Sequence, residues 1–364
     1  MLILLISNFY NLIMLNIYNY SRKKLSEILI EKYGKKQFHA TQLFEWIYTK
    51  KISSFDEITN ISKKFIDILK KDFCINKNKY IKKIESQDGT IKLLIELIDK
   101  NLIETVIIPY KYGYVLCVSS QVGCNMGCSF CASGLTKKKR NLETYEIVNE
   151  LLIANDILSQ RNKKISHIVV MGIGEPFDNY DNVMNFIYIA NDPKGFGIGA
   201  RHITVSTCGL PEKIKKYANE KLQINLAISL HAANDIKRSN IMKINKCYSL
   251  KELMNAVRYY NNISKRRVTF EYILLKNVND SFNDAKELAI LIKGIFSYVN
   301  LIPYNEVMEN NFKRSDKIQI KKFFNWLIKF GINVRIRKEF GNDINAACGQ
   351  LRLTKIKSDE KVSC

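Results

Sequence analysis

The spacing of apolar positions changes twice along this chain. Between residues 21 and 73 it is helical, in SRKKLSEILIEKYG, HATQLFEWIYTKK and SFDEITNISKKFIDILKKDF, because apolar side chains there return every three or four positions and line one face. Ser21 and Ser54 stand where N-caps belong, and Gly34 stands where a helix would stop. These segments predict a small helical domain over 21–89. Phe44, Trp46 and Tyr48 are expected in its core, since aromatics at helical spacing turn inward more often than they stack on bases. Lys35, Lys36, Lys50, Lys51, Lys63 and Lys64 remain available for contact with a polyanion. From 90 the pattern becomes β-rich, in TIKLLIELIDKN and LIETVIIPY, broken by Asn101 and Gly113, and 90–113 reads as a junction.

Beyond the junction, strands are predicted near 114–119, 167–172, 202–207, 224–230, 267–274, 299–303 and 332–338, with helical stretches such as ETYEIVNELLIANDIL and SLKELMNAVRYYNN between them. Strands alternating with helices give a parallel sheet, here an open or partial (β/α) barrel over 114–352. A polar or Gly-rich motif follows each strand: GCNMGCSFC, GIGEP, STCG, LHA, NVND, PYNE and RKEFGNDINAACG. Barrel active sites lie at the C-terminal ends of strands, so these segments are expected to converge on one mouth. Residues 1–20 are apolar, yet they contain no Lys or Arg and no small-residue cleavage site, and Asn8, Asn11 and Asn16 interrupt them. They read as an extension, with Met14 a candidate start, rather than a signal peptide or spanning helix. Residues 353–364 read as a tail.

The chain has 364 residues, 46% of them hydrophobic, enough for one large domain with a smaller companion. Lys and Arg number 57 against 35 Asp and Glu, a net charge of +22 that favours a polyanionic partner, although the abundance of Lys, Asn, Ile and Tyr is also what a low-GC genome produces. Nine Cys in no disulfide-scaffold spacing point to a reducing compartment, the cytoplasm, and to free thiols.

Cys124, Cys128 and Cys131 form C-x3-C-x2-C on the loop after the first barrel strand. A closed structural zinc site needs four ligands, and the nearest downstream His is His167. Three thiolates instead suit a four-iron four-sulfur (4Fe-4S) cluster with one iron left free for a cofactor. GIGEP at 172–176 is a weak signal alone, but a Gly-rich turn lets backbone approach a ligand closely.

C-x3-C-x2-C is similar to the signature of the radical S-adenosylmethionine (SAM) enzymes. SSQVGC, GIGEPFDN, ITVSTCG, ISLHA and DINAACGQLR narrow the likeness, which runs from about residue 25 to 352, so that the chain resembles the RlmN/Cfr family of adenine methyltransferases. The resemblance implies a 4Fe-4S cluster on Cys124, Cys128 and Cys131, and SAM, two per cycle, bound by Gly174, Glu175, Ser206, Ser229, Leu230, His231 and Asn305. A strand-end His is more often a hydrogen-bonding residue than a catalyst, so His231 is read as binding. The resemblance gives Cys348 the role of methyl carrier, Cys117 that of the thiol that resolves the adduct through a transient disulfide, and Glu104 that of proton acceptor. Without it, Cys348 and Cys117 would read as buried thiols and Glu104 as a solvated edge residue.

A sulfonium methyl cannot attack an unactivated aromatic carbon, hence the radical chemistry, which the cofactor carries. The implied substrates are the adenine of 23S rRNA at the peptidyl-transferase centre, at carbon 2, and the adenine next to the tRNA anticodon, each unstacked to reach the mouth. The helical domain is implied to bind RNA, the electron donor to be flavodoxin-like, and the protein to be a monomer with no membrane partner. Cfr-type methylation of carbon 8 shares every motif, and a non-enzymatic iron-sulfur RNA-binding protein is the alternative of another class.

Overall fold

The computed structural model describes residues 14–307 and 309–344, so the apolar extension is seen only from Met14, and Cys348 lies outside the described residues. The chain divides into two compact units, one of residues up to 78 with 143–149 and 181–198, the other of 79–142, 150–180 and 199 onward.

In the first unit, strand β1 (Leu15–Asn16) precedes helices α1 (Arg22–Tyr33), α2 (Gln37–Tyr48) and α3 (Lys63–Asp72), and pairs in parallel with β2 (Phe73–Cys74). Ser21 caps α1 by accepting from Lys24 N–H, and Gly34 ends it at φ 63°, a left-handed value that glycine adopts freely. Leu25, Leu29, Leu43, Phe44, Ile47, Tyr48, Phe65 and Leu69 form the buried core. Trp46 does not join them. It is half-buried, its indole N–H donates to Asn60 Oδ1 at 2.6 Å, and the Lys50 ammonium lies 3.4 Å above its ring. Ser54 caps only the 3-10 turn Phe55–Glu57, whose Glu57 returns the capping bond. Buried Ile58 and Ile61 then draw the chain inward before α3 begins, so the third helix is shorter than its periodicity predicts.

The second unit is built on a sheet of ten strands. Its strands are β3 (Lys79–Glu85), β4 (Ile91–Glu96), β5 (Leu102–Tyr110), β6 (Gly113–Val118), β9 (Ile165–Val170), β10 (Ile203–Thr207), β11 (Asn225–Ser229), β12 (Val268–Leu274), β13 (Ser297–Pro303) and β14 (Val334–Ile336). The short strands β7 (Gln121–Val122) and β8 (Arg140–Asn141) pair apart from it. The order is β14-β13-β12-β11-β10-β9-β6-β5-β4-β3, parallel from β6 to β14 and antiparallel from β6 to β3. It is an open, partial barrel with β14 and β3 as edges. Helices α4 (Thr144–Ser159), α5 (Tyr180–Asn191), α6 (Pro211–Ala218), α7 (Asp235–Ile241), α8 (Leu250–Ser264), α9 (Phe282–Leu291) and α10 (Lys317–Lys329) connect the parallel strands.

Central strand β11 reads as a continuous apolar run because both its faces are covered, Leu226, Ala227 and Ile228 being fully buried, whereas β9 and β10 turn alternate, partly exposed residues toward the barrel interior. Edge strand β3 carries Lys79, Lys82 and Lys83 and is almost wholly exposed, a charge pattern that discourages pairing with another chain. Among the described residues, no helix is long and apolar enough to cross a membrane.

Candidate active site at the strand C-termini

The cysteine loop leaves β6 through the β7–β8 pair. Gly123, at φ 78°, opens it where any side chain would strike the Lys137 carbonyl. Cys124 N–H donates to Thr136 O at 3.0 Å, Cys131 N–H to Cys128 O at 3.1 Å, and Ser129 N–H to Ile241 O at 3.0 Å. Backbone bonds therefore anchor the loop on either side of the three sulfurs. An apolar shelf of Phe130, Ala132, Ile241, Met242 and Tyr304 packs against Cys128 and Cys131. Burial pushes the Cys124 thiol up to about 12 and the Cys128 thiol well above its ordinary range, and neighbouring Cys131 adds to both. Thiols so placed need a cation to become thiolates. Among the described residues, no three Cys, His, Asp or Glu side chains converge as ligands of a single ion do, although these thiols feel one another electrostatically. Thiolates of an iron-sulfur cluster bind different irons and need not converge on one point, so three thiols on one short loop are compatible with a cluster.

The GIGEP turn packs against the same strand end. Gly174 sits at φ 105°, and a Cβ there would lie 2.6 Å from Gln121 Cβ. Glu175 is 3% exposed. Its carboxylate accepts from Phe177 N–H at 2.9 Å and Cys208 N–H at 2.8 Å, tying the end of β9 to that of β10. Burial raises its pKa, and the Cys208 and Phe177 amides pull it back. Much of its acceptor capacity is thus spent on the scaffold, which a reading of GIGEP as an open ammonium acceptor does not anticipate.

Ser206 and Ser229, at neighbouring strand ends, have hydroxyls 3.4 Å apart. Leu230 and His231 follow, both buried, with their N–H groups on Glu271 O. His231 adopts φ 58°. Its Nδ1 accepts from Ile273 N–H at 3.0 Å, so the neutral ring carries its proton on Nε2. Burial, then Arg238, lower its pKa to about 3. It is a neutral positioning imidazole.

Arg238 is the functional candidate that sequence reading misses. It is fully buried, and its guanidinium donates to Cys208 O at 2.7 Å, Asn245 Oδ1 at 2.8 Å and Leu230 O at 3.1 Å. It thereby joins the STCG and SLH loops, and its charge opposes the rise in the Cys128 pKa. An Arg in a polar helix gives no sequence signal of such burial. Cys208, to which the sequence gives no role, is likewise a buried node between Glu175 and Arg238.

A cavity of about 240 Å³ brings together Cys117, Cys131 and Asn305, walled by Val106, Tyr304 and Phe340. Cys117 reaches it from β6, opposite Val106 of β5. Glu104 is 3% exposed and lies on the same face of β5 as Val106, one pleat further along. Burial, not solvation, is its environment. Lys92, 1% exposed on β4 and in register with Val106, shares that face and is a second residue without a sequence signal.

Residues 118–289 match the family model of the radical SAM superfamily, and residues 15–75 match that of the ribosomal RNA large subunit methyltransferase N-terminal domain. A probable dual-specificity RNA methyltransferase RlmN of Spiroplasma citri is 55% identical over 339 residues, 93% of this chain and 97% of that protein. Its namesake in Streptococcus pyogenes is 52% identical over 354 residues, 96% of this chain and 98% of that one. A crystal structure of a radical SAM methyltransferase from Sphaerobacter thermophilus superposes with a TM-score of 0.86 at 38% identity, covering 92% of this chain and 98% of its own. With fold, motifs and length all matched, the chain belongs to the RlmN family of radical SAM methyltransferases.

Proposed function

We propose that this enzyme methylates carbon 2 of an adenine in 23S rRNA and of the adenine next to the anticodon in tRNA, through a methyl group carried on Cys348. The relatives' name, dual-specificity RNA methyltransferase, supports both substrates. The observation that carries the reading is the single cavity shared by Cys117, Cys131 and Asn305, since it sets a candidate resolving thiol beside the cluster loop.

As a radical SAM protein the chain uses a 4Fe-4S cluster and SAM, which together supply one-electron cleavage of the sulfonium. In this reading Cys124, Cys128 and Cys131 hold the cluster, and Gly174, Glu175, Ser206, Ser229, Leu230, His231 and Asn305 hold SAM. The apolar shelf around the cysteines excludes water. Buried Glu104 accepts the ring proton, a task a carboxylate held beside the reacting base can perform. Cys117 then attacks the Cys348 sulfur. The carbon-sulfur bond breaks, its electron pair leaves with the methylene carbon, which is protonated to the methyl group, and a Cys117–Cys348 disulfide forms for reduction by external thiols. The helical unit would add RNA contacts through its lysines. A flavodoxin-like donor, a monomer and the reducing cytoplasm complete the proposal.

The test is Cys117→Ala purified from cells. It should carry RNA that survives a denaturing gel, because no thiol releases the adduct, whereas Cys348→Ala should carry none. A Cys117→Ala enzyme that turns over normally without bound RNA refutes the two-cysteine route. Mass spectrometry of nucleosides from treated RNA separates carbon 2 from carbon 8.

A further inference from the structure

The opposite end of the barrel has a larger opening, of about 680 Å³. Arg201 stands before β10, Arg266 and Arg267 before β12, and Arg335 and Arg337 on and just after β14, and all face this one mouth. Among the described residues Glu271 is its sole lining carboxylate, and that group is buried and held by Asn300 Nδ2 at 2.8 Å. Asn300 Oδ1, also buried in this wall, has no hydrogen-bond partner among the described residues. Gathering guanidinium groups around one carboxylate costs self-repulsion unless an anion answers them.

Flat rings stand among the charges. Tyr110 and Tyr112 stack at 4.9 Å, Tyr112 meets His167 at 4.9 Å, and His167 stacks on His202 at 4.2 Å, so that four rings make a continuous run. Tyr298 carries the guanidinium groups of Arg267 and Arg335 at 4.4 and 4.7 Å from its ring centre. Burial and the neighbouring His202 hold His167 below its ordinary pKa, so at neutral pH it is an uncharged stacking face.

We propose that this mouth is an RNA-binding site that holds a single-stranded stretch of the substrate by its phosphates and by stacking of its bases. The proposal rests on the methylation of RNA argued above. Cations spread over three strand starts suit a chain of phosphates rather than one polyphosphate, and exposed rings suit unpaired bases, whose faces a duplex hides. Arg201, His202, Arg267, Arg335 and Tyr112 are all exposed, so a strand can reach them. Ile108, Arg337 and Lys338 line both this mouth and the cavity of Cys117, which makes the bound strand continuous with the chamber where the target base is expected.

The test uses full-length, cluster-loaded protein and a short oligoribonucleotide, single-stranded or annealed to its complement, followed by fluorescence anisotropy over a salt series. Removing two phosphate contacts with R267Q/R335Q should flatten the log Kd against log salt slope by about 1.4, at roughly 0.7 per single-strand phosphate. Tyr112→Ala should weaken the single strand by about fivefold or more, the low end of base stacking on an aromatic, and leave the duplex unchanged. Thermal melts and SAM cleavage without RNA should match wild type in both variants. Wild-type affinity and slope in R267Q/R335Q overturn the proposal, as does a Tyr112→Ala that binds the single strand normally. Nucleoside analysis of RNA treated with the wild-type enzyme is read separately: absence of methylation there refutes the proposed function, whereas methylation with unaffected variants refutes only this site.

Discussion

Arg238→Met is the most informative single substitution in the barrel. Met keeps the length and the apolar stem and removes every donor. Cys208 O and Asn245 Oδ1 then lose their guanidinium partners and part-buried Ser229 O loses a longer bond at 3.3 Å, while Leu230 O keeps Ala232 N–H at 2.8 Å. Two orphaned buried acceptors cost about 1–3 kcal/mol each. Part of that is offset, because burying the guanidinium itself carries a desolvation penalty. A net loss of about 2–4 kcal/mol is expected, a large share of the roughly 5–15 kcal/mol that holds a domain together. The urea midpoint of the cluster-free protein measures it. Arg238→Lys should recover little, since one ammonium cannot follow the planar fork to four acceptors. The same loss should release the STCG and SLH loops and remove the cation that opposes the high Cys128 pKa, so the loaded variant should bind SAM more weakly and surrender iron to a chelator faster. A variant within about 0.5 kcal/mol of wild type, an ordinary surface effect, with unchanged SAM affinity would show that the guanidinium is incidental.

Three further outcomes are open to measurement. Replacing any of Cys124, Cys128 or Cys131 with Ala should abolish the brown absorbance of reconstituted protein and all SAM cleavage, and a retained cluster would refute the ligand assignment. Glu175→Ala should leave the cluster in place but weaken SAM binding, and should also lower the melting temperature, because the Phe177 and Cys208 amides lose their acceptor; unchanged SAM affinity would reduce the turn to scaffold. His231, with its pKa lowered to about 3 from an ordinary 6.5, contributes stability that is complete above pH 6.5 and is lost as pH falls towards 3, by about 1.4 kcal/mol per unit and so roughly 2 kcal/mol at pH 5. His231→Asn tolerates the positive φ and keeps an acceptor for Ile273 N–H, so its urea midpoints should lack that component; an unchanged pH dependence would contradict it.

What the sequence disclosed and what it hid follow from where each residue's partners lie along the chain. Strands β11 and β12 are readable because most of their residues are buried, with Leu226, Ala227 and Ile228 in one and Val268, Phe270, Tyr272 and Leu274 in the other. Strand β3 was not, because an edge strand exposed on both faces owes nothing to a hydrophobic period, and its lysines serve to repel a partner. Ser21 and Gly34 could be assigned because a cap acts within three or four residues, whereas the Ser54 signal failed because buried Ile58 and Ile61 redirected the chain just after it. The site divides the same way. Cys124, Cys128 and Cys131 share one loop, and their spacing is itself the signal. The partners of Arg238 come from residues 208, 230 and 245, so the burial that gives it a role arises only when β10, β11 and the segment after α7 are assembled. The rule that barrel chemistry gathers at strand C-termini directs attention to one mouth. It also hides the other, because Arg201, Arg267 and Arg335 each stand before or at the start of a strand, where an isolated cation reads as solvated. Only the sheet order, which sets β10, β12 and β14 around a single opening, turns them into a group.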